Sequence, residues 1–199
     1  NDVGDNTGDP GIALSGTSAD LAAALEGITT YTGAVTLNDA HTLSQLKLIN
    51  EGTSGGITLG DSAVQLVGTA ADILAALDGV APYSGDITVS GLATATDIEA
   101  IAQLTTGTLT ATLNAGQATL DLTAATSANF ITVTDDVNVT GSDQADKLII
   151  QNGADANVFV VDLGNGADEV RIEDGAIIAA EGDRITITDA GDVADSDIL

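Results

Sequence analysis

Cysteine, methionine and tryptophan are absent from the 199 residues, and cations nearly so, at four Lys and Arg against 30 Asp and Glu. Without cysteine there is no disulfide staple and no thiolate metal site. A formal charge of −26 excludes nucleic acid and anionic membranes as partners, because like charge repels them. No run of about 18 apolar residues occurs, so no membrane span is expected. No amino-terminal signal peptide is visible. With no methionine at position 1, the chain reads as a processed product or a piece of something longer, with any export signal carboxy-terminal or outside it. Aromatics are scarce, two Phe and two Tyr, while apolar residues reach 44%, mainly Ala and small β-branched types. Such side chains suit a thin core between closely stacked backbones.

What is present is a repeat. Leu14 to Gly33 returns as Leu66 to Gly85, 52 residues later and without a gap. A long fixed period points to stacked units, which make surfaces and lengths more often than catalytic pockets. Residues 1–11 read as a linker or edge, and 12–63 and 64–115 as two units. Each unit opens on a short strand, Ile12 to Ser15 or Val64 to Val67. A helix follows, N-capped by Thr17 or Thr69, with Asp20 or Asp72 three residues on in a capping-box arrangement. Leu21, Leu25 and Ile28 make its apolar face, copied by Ile73, Leu77 and Val80. Gly27 and Gly79 supply its left-handed end. A second strand, a second helix carrying Leu43, Leu46 and Ile49 (or Ala95, Ile98 and Ile101), and a third strand complete the unit. Short strand–helix alternation implies parallel strands. Tyr31 and Tyr83 read as packing plugs with hydroxyls reaching water. His41, replaced by Ala93 in the second unit, reads as a surface residue.

After about residue 116 the helices stop. Seven strand-like runs follow, from Ala118–Leu122 to Arg184–Thr188, divided by turns rich in Gly, Asp and Asn. A boundary is placed there, with 116–199 as a β-rich region. The expected architecture is mixed β with short α: a right-handed parallel β-solenoid of 52-residue strand–helix repeats, followed by a calcium β-roll-like end.

Leu163-Gly-Asn-Gly-Ala-Asp-Glu-Val-Arg171 fits the nine-residue pattern G-G-x-G-x-D-x-U-x at Gly164, Gly166, Asp168 and Val170. Gly141 to Leu148 fits at Gly141, Asp146 and Leu148, with Ser142 and Gln144 in place of glycines. Asn152-Gly-Ala-Asp155 echoes it nine residues after Asp146. This region resembles the RTX family, calcium-binding repeat proteins exported by type I secretion. The resemblance implies Ca2+ held by Gly164, Gly166 and Asp168 as one half-site and by Gly141, Asp143 and Asp146 as another, with Asn165 and Asp155 beside them. Calcium would also answer the net charge, as a hard ion that prefers carboxylate and carbonyl oxygens. The repeats, with their G-T-x-x-x-L-x-x-A-L helix and Y-[TS]-G turn, are similar to those of very large bacterial surface and secreted proteins.

No nucleophile–base constellation can be drawn, and the paired acids Asp135 and Asp136 point to opposite faces of a strand, so an enzyme is not expected. The expected function is a structural calcium-binding module of a bacterial extracellular or cell-surface protein, such as a surface layer, adhesin stalk or filament. Calcium would drive its folding, and its partners would be itself or neighbouring repeats. The alternative is a module binding glycans or a host surface on the same scaffold.

Overall fold

The computed structural model describes residues 11–80, 82–151, 158–173 and 184–188. The first unit contains strand β1 (Leu14–Gly16), helix α1 (Ser18–Leu25), β2 (Val35–Leu37), α2 (Leu43–Gly52) and β3 (Ile57–Thr58). The second contains β4 (Leu66–Gly68), α3 (Ala70–Leu77), β5 (Ile87–Ala93), α4 (Ala95–Ala102) and β6 (Leu109–Leu113). Strands alone follow: β7 (Thr119–Asp121), β8 (Asn129–Val133), β9 (Val137–Thr140), β10 (Lys147–Ile150), β11 (Val158–Asp162), β12 (Glu169–Ile172) and β13 (Arg184–Ile187).

Helices of eight to ten residues are marginal in isolation, so their ends and their buried faces decide them. Thr17, Thr42, Thr69 and Thr94 each cap a helix by accepting the amide three residues on. The reciprocal bond of a capping box forms in α2, where Gln45 reaches back to the Thr42 amide at 2.9 Å. Asp20 and Asp72, one methylene shorter than a glutamate, instead accept the threonine hydroxyl at 2.8 Å. The helices bury Leu21 and Leu25, Leu46 and Ile49, Ile73 and Leu77, and Ile98 and Ile101.

The architecture corrects the expected right-handed parallel β-solenoid with a calcium β-roll-like end. The chain is α/β, with four helices and three separate parallel sheets among the described residues: β1-β2-β3, β12-β10-β8-β6-β5-β4 and β13-β11-β9-β7. Within a sheet, successive partners lie about one strand–helix return apart, as in Leu14↔Val35, Val35↔Ile57 and Ile87↔Leu109. Leu66, however, follows Ile57 by nine residues. Parallel neighbours need a crossover of roughly a dozen residues or more. The chain therefore cannot lay β4 beside β3 and starts a new sheet. The 52-residue period is thus not a uniform stacking unit: the first unit closes a sheet of its own, and the second shares its sheet with the carboxy-terminal strands.

Beyond β6 the strands alternate between two sheets. β8, β10 and β12 extend the six-stranded sheet, while β7, β9, β11 and β13 form the four-stranded one. Leu148 and Val170 from the first and Val139, Phe159 and Val161 from the second are buried in one core, which runs back across residue 116 to Ile73 and Leu77. A smaller core of Leu21, Leu25, Tyr31, Val35, Leu37 and Ile49 fills the first unit.

Candidate functional site: the acidic turns and the seam between repeats

The two best acidic turns stack one above the other, because Lys147 is in register with Glu169. Their glycines are needed for this. A Cβ on Gly141 would lie 2.3 Å from the Leu163 carbonyl oxygen, and one on Gly166 would lie 2.3 Å from that of Gln144. Gly164 and Gly166 also take positive φ values of 79° and 148°, which side chains disfavour.

Asp146 points inward and is 3% exposed. Its Oδ1 accepts the Asn129 backbone amide and the Asn129 Nδ2, each at 2.9 Å. Its Oδ2 accepts the Ser142 amide at 2.7 Å and the Ser142 hydroxyl at 2.9 Å. Asp168, also buried, repeats the first of these bonds one turn on by accepting the Asp146 amide at 2.8 Å. Asp143 and Asn165 are exposed and pair with each other, Asn165 Nδ2 donating at 2.7 Å. Asp155 lies outside the described residues.

A calcium ion takes about six to eight oxygens at roughly 2.3–2.6 Å. The inner turn does not fit it. Both Asp146 oxygens face two donors each, so positive N–H and O–H dipoles occupy the directions in which an ion would bind. Among the described residues, no group of three or more Asp, Glu or His is arranged to hold a metal. The four donors do for Asp146 what an ion would do, satisfying a carboxylate withdrawn from water. Asp135 and Asp136 serve the backbone in the same way, accepting the amides of Gly116 and Val158.

The second constellation lies where the first unit meets the second. His41 is not a surface residue: it is 3% exposed, with its ring edge-on to Tyr83 at a centroid distance of 6.0 Å and its Nε2 3.4 Å from the tyrosine hydroxyl. Its Nδ1 has no hydrogen-bond partner among the described residues. Nor do the tyrosine hydroxyls reach water. Tyr31 and Tyr83 are buried and donate to the carbonyls of Ile12 and Val64, tying the far end of each unit's first turn back to the residues that lead into its first strand. Burial, helped by Asp61, pushes the Tyr83 phenol up to about 12.

Around this ring pair, α2 lies against α3. Lys47 meets Asp72 at 2.5 Å, and Asn50 Nδ2 donates to the carbonyls of Ala75 and Asp78 at 2.8 and 2.9 Å, closing the end of α3. A cleft of about 550 Å³ opens beside them, lined by residues including Glu51, Ser54 and Asp78 and by no aromatic ring. The sequence carries a signal for this seam that the motif reading passed over. His41, Lys47 and Asn50 are replaced in the second unit by Ala93, Glu99 and Ala102. The change follows the next neighbour along the chain: α2 is followed by helix α3, whereas α4, which has α3 on one side, meets strand β7 on the other, and Glu99 accepts the Asp121 amide at 2.8 Å.

Burial of His41 lowers its pKa, with Asp61 and Asp39 opposing. A depressed base favours the neutral form in the folded state. The stability it contributes is therefore full above about pH 6.5, the ordinary histidine value, and is lost as pH falls through the lowered folded value. His41→Gln is expected to flatten the part of the stability profile that falls between pH 7 and pH 5; urea titrations of both proteins across that range measure it.

No family model, curated protein or solved structure matches this chain.

Proposed function

We propose that this chain is a structural module of a bacterial extracellular or cell-surface protein, working through length and stiffness instead of bond chemistry. One observation carries the reading: buried Asp146 and Asp168, the aspartates that the glycine-rich motif singles out, are committed to holding stacked turns together through backbone amides. The resemblance to calcium-binding repeats then lies in the turn backbone, in Gly164 and Gly166, while hydrogen bonds take the ion's place between turns. The surplus of exposed carboxylates keeps such a module soluble and repels casual contacts.

The glycan-binding alternative loses its best feature, since Tyr31 and Tyr83 are buried and offer no stacking platform. Electron microscopy of the purified protein at rising concentration, alongside a glycan array, tests the proposal. Filaments or lattices formed without added ligand are the expected result. A discrete sugar hit with no assembly at any concentration would refute it.

A further inference from the structure

The 52-residue repeat provides two copies of one helix face in different surroundings. In the second unit, the face formed by Val64, α3 and Val80 is covered by α2 of the first. Ala76 is 0% and Val80 4% exposed, Val64 is half-buried, and Asp72 is paired with Lys47. The equivalent residues of the first unit are open. Ile12 is 77% exposed, Ile28 is 38% exposed, and Asp20, Ala23, Ala24 and Glu26 are all exposed. Beneath them the frame is the same: Tyr31 bonds the Ile12 carbonyl as Tyr83 bonds that of Val64.

We propose that this face of the first unit is a docking surface for one further repeat of the same kind, seated as the first unit sits on the second. The seam states the chemistry of the partner. It presents a helix with a lysine opposite Asp20, an amide side chain three residues later reaching the Ala23 and Glu26 carbonyls, and a ring before the helix to cover Tyr31. A cation is what this face calls for, since Asp20 and Glu26 are both acidic. A second copy of this chain cannot supply the contact, because its own α2 already covers its own α3. Ile12, Ala24 and Ile28 are the apolar centre of the contact, and the acids its rim.

The inference rests on the reading as a repeat module, but its test does not depend on assembly or on any ligand. A second copy of residues 12–63 is inserted into the full chain immediately before Ile12, reproducing the Ala63–Val64 connection. The extended protein is expected to melt in one transition. Ala24→Lys is expected to leave the midpoint of the original chain unchanged. In the extended chain it is expected to lower the midpoint by several degrees, as Ala76→Lys does in the original. Separate melting of the added unit, or an Ala24→Lys effect equal in both chains, would overturn the proposal. So would a concentration-dependent dimer of the original chain that Ile12→Lys abolishes, because the face would then belong to a contact between copies.

Discussion

Asp146→Ala is expected to lower the unfolding free energy by about 4 kcal/mol, equally in calcium and in EDTA. The substitution strands the Asn129 and Ser142 backbone amides and one of the two Asn129 Nδ2 hydrogens, the Nδ2 keeping its bond to the Ser127 carbonyl, all in buried surroundings. A buried donor left without an acceptor costs about 1–3 kcal/mol, and the Ser142 hydroxyl can rotate to another acceptor. Asp146→Asn keeps the shape and one oxygen, so its loss should be intermediate. Urea unfolding of the three proteins in millimolar calcium and in EDTA provides the comparison. A calcium site filled at 100 times its dissociation constant would add about 2.7 kcal/mol to the wild type. No such gain is expected for this turn. A gain of that size that disappears in both variants would restore the aspartates as ion ligands.

Gly85→Ala should cost about 3 kcal/mol, near the upper end of overpacking effects. A Cβ at this position would lie 2.1 Å from the Val64 carbonyl oxygen and 2.8 Å from the Tyr83 ring. That oxygen already accepts the Tyr83 hydroxyl, so neither neighbour can give way without breaking the tie that closes the unit. Gly85 does not adopt a positive φ, so the cost is one of space alone. Gly56 is the control: a Cβ there meets nothing within 4 Å. Gly56→Ala should be neutral or slightly stabilising through the unfolded chain. Equal losses at the two positions in a denaturant titration would show that crowding is not the cause.

The parts of this fold that the sequence announces are those with short-range causes. A threonine cap, an apolar stripe at helical spacing or an alternating run of β-branched residues acts within a few positions of itself. Hence α1, α3 and the carboxy-terminal strands were legible. The break between β3 and β4 was not, although its cause is printed in the chain. It appears only when the nine-residue step from Ile57 to Leu66 is compared with the length a parallel return requires. The acidic turns are ambiguous for a different reason. A glycine-framed aspartate has the same sequence signature whether its oxygens face an ion or an amide, and Asn129, whose backbone and side-chain amides meet Asp146, lies outside the motif. His41 was misjudged because one unrepeated histidine offers no pattern. Its burial depends on Tyr83, 42 residues away.

Among the described residues, one backbone–backbone hydrogen bond crosses from the first unit to the second, from the Ser84 amide to the Ser62 carbonyl at 3.0 Å; side chains of α2 hold the rest of that boundary. Under a mechanical load, such as shear on a cell exterior, the two halves should not yield together. The first unit would detach whole, releasing slack, while the six-stranded sheet still bore the tension. A molecule jointed in this way behaves as a tether with a built-in fuse, absorbing a jolt at one sacrificial joint that can re-form once the pull subsides.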